Sequence, residues 1–344
     1  MNRLSERQKL ILALVIRDYI ETAQPVGSRR LVEYYNLDVS SATVRNEMVA
    51  LTELGFLRQP HTSAGRVPTE DGYRFFVRQL MSHADLPSPT KRTISHQFYQ
   101  AGMDVDRWMR LAASVLAHQS QAASLVTAPH SERVEFKHLE LISTRGRQVL
   151  MVLVLAGGEV RQQMLALAEP VSQDQLTTIT QKLNDLCQGR DIGAINALRG
   201  QLGALEQDVL KLVLEDMQHS TDILGGEVYR DGLTQVLAEP EFAEVEVARN
   251  ALRIFEERPL LEDLLSRTVM GSELGGVQVL IGGEGTWEEL RDCSVVLARY
   301  GAPGVATGTL GVLGPIRMAY GRTISTVRFV AGLLSDLVID LHSE

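Results

Sequence analysis

Within the stretch from Asp38 to Leu57, Ser41, Thr43, Arg45 and Asn46 have side chains that can hold phosphate or read a base edge. Val44, Met48 and Leu51 fall at i, i+4 and i+7 and predict the buried stripe of an amphipathic helix. Ala42, Arg45, Asn46 and Val49 then lie about 180° away, with Ser41 and Thr43 beside them near the first turn. A helix N-terminus attracts phosphate, and Arg or Asn can pair bidentately with guanine or adenine in a major groove. Ser40 or Ser41 can cap this helix, and Gly55 stops it. A merely solvated helix face would carry similar residues, so the reading depends on what surrounds it.

Three short helices are the elements that must position these groups. Residues 5–22 open with Ser5 and Gln8 in capping-box spacing and place Ile11, Leu14, Val15 and Tyr19 on one face. Pro25 and Gly27 end that helix. A second runs from Ser28 to Tyr35, a turn occupies Asn36 to Val39, and a third runs from Ser41 to Leu54, the order of a helix-turn-helix. Arg29 and Arg30, ahead of the turn, are candidates to reach the nucleic-acid backbone. Next, Arg58 to Thr69 is rich in Gly, Pro, Ser and basic residues and predicts a hairpin wing, in which His61, Thr62, Ser63 and Arg66 are candidate contacts. Arg66 is the wing's best placed cation for phosphate or a minor groove. Thr69 caps a fourth helix through Met81, with Tyr73, Phe76, Val77 and Leu80 inward.

Beyond it, Pro87 and Pro89 in a polar run predict a linker over 84–92. A helix over Asp104–Ser120 follows, then strands over Val134–Ser143, Gln148–Ala156 and Val160–Ala168, joined by short turns as an antiparallel meander. Helical periodicity dominates 171–224 and returns over Val245–Leu265. Strands resume at Val277–Ile281, Cys293–Tyr300 and Val305–Leu313, and a helix closes the pattern over Thr323–Leu341. Sheet, helices, sheet predicts an α+β multidomain chain in which one αβ domain is interrupted by a helical insertion.

Charge divides the chain in the same way. Of 34 Lys and Arg and 43 Asp and Glu, residues 1–83 hold 11 and 9, and the remainder 23 and 34. Only the N-terminal part suits a polyanion. Cys187 and Cys293 lie far apart in no metal-binding spacing, so both read as reduced, buried thiols. The longest apolar run, Val149–Ala156, is well short of the roughly 20 residues of a membrane helix, and no signal peptide is present, so a cytoplasmic location without membrane partners is expected. His138 and Glu140, or Glu288 and Glu289, form no defensible acid-base or metal spacing, and no cofactor is expected. Gly308, Gly311 and Gly314 lack the G-x-G-x-x-G pattern and a following Lys-Ser/Thr, so they read as tight strand turns, not as a phosphate cradle.

Several segments, in order along nearly the whole chain, resemble the bacterial heat-inducible transcription repressor HrcA family. They are Leu4–Gln8, Pro25–Ser28, Ser40–Met48, His61–Thr69, Pro240–Phe242 and Gly308–Tyr320. Two departures are Ile316, where the family tail has Thr, and Gly283–Thr286, where it has Gly-x-Glu-Asn. The resemblance implies a winged helix-turn-helix domain over 1–83, a GAF-like domain over 93–170 and 246–344, and a dimerising insertion over 171–245. It implies a homodimeric repressor, not an enzyme, bound to an inverted-repeat operator in double-stranded DNA upstream of chaperone operons. The chaperonin would keep such a repressor active, and heat would release it. A second class is a ligand-responsive regulator or enzyme whose αβ domain takes a metabolite; the lack of a nucleophile-base set, metal triad or P-loop favours the first.

Overall fold

Side-chain caps start the first and third helices, and a glycine precedes the second. The Ser5 hydroxyl accepts from Gln8 N–H while Gln8 returns a bond to Ser5 N–H, closing a capping box on α1 (Glu6–Thr22). Gly27 precedes α2 (Ser28–Tyr35), and the left-handed Asn36 (φ 47°) ends it. Ser40, of the two possible serines, caps α3 (Ser41–Glu53) by accepting from Thr43 N–H at 3.1 Å.

The computed structural model describes residues 4–61, 64–81, 85–131, 134–156, 159–167, 169–221, 227–269 and 274–341. After α3 come β1 (Leu57–Arg58), β2 (Val67–Pro68) and α4 (Glu70–Phe75), which widens into a π-helical turn over Phe76–Leu80. Then follow α5 (Ser88–Ala101), α6 (Val105–Ser120), β3 (Ala123–Thr127), β4 (His130–Ser131), β5 (Phe136–Ser143), β6 (Gln148–Leu155) and β7 (Val160–Ala166). The helices α7 (Gln173–Cys187), α8 (Ile192–Asn196) and α9 (Ala204–Thr221) lead to β8 (Val228–Asp231), α10 (Leu233–Leu237), α11 (Val245–Glu256) and α12 (Arg258–Val269). The last elements are β9 (Val277–Ile281), β10 (Cys293–Ala302), β11 (Ala306–Pro315) and α13 (Tyr320–Leu341). Helices and antiparallel strands make an α+β chain of two compact units.

The first unit comprises Met1–Thr127, Val228–Tyr300 and Thr309–Leu337. In its N-terminal part, Val44, Met48 and Leu51 of α3 are buried as the periodicity predicts, together with Leu31, Leu57 and Val67. Every residue from Ile11 to Ile16 of α1 is buried, not one stripe alone, so α1 is the hub of this part. Its sheet runs β8-β3-β11-β10-β9, all neighbours antiparallel. Gly311 lies inside β11, where a Cβ would come 2.5 Å from the Val296 carbonyl oxygen. Gly308, Gly311 and Gly314 therefore stand in a continuous buried strand, which corrects their reading as turns: strand-to-strand approach, not a reversal of the chain, is what requires Gly311.

The second unit comprises Ala128–Glu227, Gly301–Gly308 and Val338–Glu344. Here β5, β6 and β7 form a three-stranded antiparallel meander of their own. These strands and the later ones, which a single interrupted αβ domain would place in one sheet, thus stand in separate sheets. Their inner face, including Leu139, Met151 and Leu153, needs a cover, and α7 and α9 supply it with Leu176, Leu183, Val209, Val213 and Met217. The meander and the helices after it are one core.

Proline placement explains two further differences. Pro89 occupies the first turn of α5, where its missing N–H is harmless, so a helix begins at Ser88 inside the stretch expected as a linker. Pro259 likewise sits at the start of α12 and divides the single helix expected over Val245–Leu265. In the π turn the helical phase changes: Tyr73 and Phe76 are buried, while Val77 and Leu80, expected inward, are half-buried.

Candidate nucleic-acid interface

Arg45 and Asn46 are exposed on α3, and neither side chain bonds to any described residue. Ser41 is half-buried beside them. The Thr43 hydroxyl pairs with Ser40 at 2.9 Å, so its first role is in the cap. Val44 N–H to the Ser40 carbonyl at 3.1 Å is the first helical bond, leaving the N–H groups of Ser41 and Ala42 directed out of the helix start.

The hairpin β1–β2 brings Arg66 to the same place. Its main chain exchanges two hydrogen bonds with Val26 at 2.8 and 2.9 Å, and its Nε donates to Thr52 Oγ1 at 3.0 Å. Gly65 makes this approach possible, since a Cβ there would lie 2.3 Å from the Val26 carbonyl oxygen. Arg45, Val49, Gln59 and Arg66 thereby line one cleft of about 370 Å3 with Gly27 and Ser28. Gln59 donates to the Ala64 carbonyl at 3.1 Å and Ala64 N–H to the His61 carbonyl at 2.8 Å, closing the loop between the strands. His61 is exposed at its edge; Thr62 and Ser63 lie outside the described residues.

The two arginines of α2 differ. Arg29 is exposed and bonds to no described residue, whereas Arg30 grips Asp18 of α1 through three hydrogen bonds of 2.7 to 3.0 Å and lies 5.4 Å from the Tyr34 ring centre. Asp18 is 1% exposed, so this pair is a half-buried clamp of α2 on α1. The Asp18 hydrogen bond, with its charge, raises the already high Arg30 pKa. Arg7 of α1 holds Glu47 of α3 at 2.6 Å in the same manner. Sequence reasoning missed both ties and Gln59, because only the fold brings residues 12 or 40 positions apart together.

Other candidate chemistry is sparse. His138 Nε2 lies 3.4 Å from Glu140 on an exposed strand face. Burial, with a smaller contribution from Asp292, pushes the Cys293 thiol up to about 12, which makes it unreactive at neutral pH. Among the described residues no group of three or more His, Cys, Asp or Glu could hold a metal ion, and no helix is long and apolar enough to cross a membrane.

The profile of the HrcA protein C terminal domain matches residues 106–324. The heat-inducible transcription repressor HrcA of Roseiflexus castenholzii is 44% identical over 98% of this chain and 96% of its own, and that of Herpetosiphon aurantiacus is 45% identical over 99% and 97%. The chain belongs to the HrcA family. A crystal structure of a hypothetical protein is also similar, with a TM-score of 0.61 and 26% identity over 98% of this chain and 100% of that one. In this HrcA chain two of the segments that carried the resemblance meet: Arg317, after β11, bonds to Glu241 and Glu239 before α11. Burial pulls the Arg317 pKa down, but Glu241 and Glu239 raise it by more, so its net shift is upward.

Proposed function

We propose that this chain is a heat-inducible transcription repressor that binds an inverted-repeat operator in double-stranded DNA as a homodimer. The observation that carries the reading is the meeting of Arg45, unpaired on a capped helix, with Arg66 in one cleft, with the exposed Asn46 next to Arg45 on the same helix. In this reading residues 1–83 form a winged helix-turn-helix whose α3 enters the major groove. Arg45 and Asn46 read base edges, while Ser41, Thr43, Arg29, His61, Thr62, Ser63 and Arg66 hold phosphate or the minor groove. Arg30 contributes through its clamp and the charge it leaves half-exposed. The αβ body is GAF-like, and the protein works in the cytoplasm without catalysis.

The second unit supplies the two-fold contact. The outer face of its meander aligns Ile142, Leu150 and Met164 in one row and Val154 with Val160 in another. Met164 is 53% and Val160 51% exposed; with Glu140 and Gln162 flanking Val152 between the rows and His138 beside Val154, this is a mainly apolar sheet face that a second copy can cover. Chaperonin dependence has a physical reason in the first unit: β3 must pair with β11, some 180 residues later, before the sheet can close. Refolding with and without chaperonin and ATP tests this, and rapid full recovery without chaperonin would remove it. The central test is a gel shift with promoter DNA of chaperone operons from the chain's own genome. Specific retention that an inverted-repeat competitor abolishes is expected; equal binding to scrambled DNA would refute the repressor reading.

A further inference from the structure

We infer that Arg317 is a positioning residue for operator recognition: without touching DNA, it fixes the direction in which the N-terminal helices present α3. The inference rests on the repressor reading above and adds what sets half-site spacing. Arg317 Nη1 reaches the Ile20 carbonyl at 3.5 Å, one of the last four carbonyls of α1, which have no partner within the helix. A guanidinium at a helix C-terminus also complements the helix dipole. The same side chain is gripped by Glu239 and Glu241, which belong to the body of the unit. Arg317 thus ties α1 to the body.

From there the connection to the reader is stiff. The middle of α1 is buried all round, and α1 holds α2 through Asp18–Arg30 and α3 through Arg7–Glu47. A second arginine acts alongside the first. Arg74 of α4 donates to Glu284 at 3.2 Å and to the Ile281 carbonyl at 2.6 Å while it is paired to Glu70 and Asp71.

These ties matter because packing at the joint is incomplete. Tyr73 and Tyr320 meet at a tilt of 51° with ring centres 5.9 Å apart, but the Tyr73 hydroxyl is buried with no hydrogen-bond partner among the described residues. Beside them opens a cleft of about 650 Å3 lined by Tyr19, Arg58, Thr69, Glu244, Arg291 and Ile316. An interface flanked by such an open cleft is not held in one orientation by close packing alone. Two multidentate arginines, one holding α1 and one on α4, do hold it, since each planar fork is directional.

The test uses full-length protein and four duplexes: the inverted repeat from the gel shift, the repeat with one half-site scrambled, the repeat with both scrambled, and the repeat with about 5 base pairs inserted, half a helical turn. Arg317→Gln should bind the single half-site within about twofold of wild type, yet lose about tenfold or more on the full repeat, because the second half-site is no longer offered at high effective concentration. Its discrimination against the inserted duplex should shrink in step. Arg317→Lys, which keeps the charge but not the fork, should show the same loss in milder form. Sedimentation and circular dichroism check that dimer and fold are intact; if Arg317→Gln does not fold, the Glu239→Gln/Glu241→Gln protein takes its place. Unchanged spacing discrimination in a folded variant would overturn the inference, as would an equal loss on half-site and full repeat, which would place the defect in the reader. Wild-type protein indifferent to scrambling both half-sites would instead bring down the repressor reading, and this inference with it.

Discussion

The outer face of α3 and the outer face of the β5–β7 meander are both left open by the folded chain, but what each leaves open differs in kind. On α3 the uncovered groups, beside Ala42 and Val49, are a guanidinium, an amide and helix-start N–H groups, which are content in water and able to exchange it for a polar partner at little cost. On the meander they are chiefly Ile142, Leu150, Val154, Val160 and Met164, which gain only by leaving water, with His138, Glu140 and Gln162 set among them. One chain therefore carries a face suited to a hydrated polyanion and a face suited to another apolar surface. The two occur in different units, so each can be damaged without the other.

The meander should give the larger effect. Leu150→Glu puts a charge between Ile142 and Met164, and covering it with a second copy would cost about 3 to 5 kcal/mol, the scale of an uncompensated buried charge. Sedimentation should show monomer at concentrations where the parent is dimeric, with far-ultraviolet circular dichroism unchanged because Leu150 faces away from the core. A tight dimer in this variant would move the two-fold contact elsewhere. Deleting 171–245 is a poorer test, since it removes α7 and α9 and strips the meander's inner face as well.

Arg45→Ala comes next. Loss of one bidentate base contact should weaken operator binding by about 1 to 3 kcal/mol per half-site and relax preference at one base pair, measurable by competition with single-base operator variants. Arg66→Ala should act differently, weakening specific and nonspecific DNA alike and reducing the salt slope by about one counterion. If both variants lose affinity equally on every sequence, α3 is not the reader.

Much of this contrast was legible before the fold, and the reason is local. The capping serines and the Val44–Met48–Leu51 stripe act within a few residues, so α1 and α3 follow from periodicity and caps, and the turn-forming composition of the wing gives the hairpin. The candidate DNA contacts could be named for the same reason. What was not legible depends on distant partners. Alternation in β5–β7 identifies strands but not the sheet they join, since an apolar inner face packs equally well on α7 and α9 or beside β11. The apolar outer face went unnoticed because Leu150, Val152 and Val154 alternate with residues that are just as apolar, leaving no polar side to contrast. Helix α5 was hidden by Pro87 and Pro89, which read as a linker although Ile94 and Phe98 stand one turn apart.

The smallest effect tests how the second unit keeps its sheet face in place. Lys182 of α7 donates to Glu206 of α9 at 2.7 Å, and Gly203 N–H donates to the same carboxylate at 2.8 Å. The Lys182 hydrogen bond, then the Gly203 bond, hold Glu206 below the usual carboxylate range against a small opposing effect of desolvation. Because the folded pKa lies below the unfolded value, the stabilisation is fully present above about pH 4.3 and disappears as pH falls through the folded value. Lys182 is 43% exposed although the Glu206 side chain is only 16% exposed, so salt should screen the pair in part and the effect should be modest. Glu206→Gln should therefore lower the melting temperature of the second unit slightly at pH 7 and leave it equal to the parent at pH 3, with the difference closing at high salt. A variant that is less stable than the parent by the same margin at both pH values would show that Glu206 acts through packing, and that the α7–α9 tie adds no pH-dependent support to the sheet.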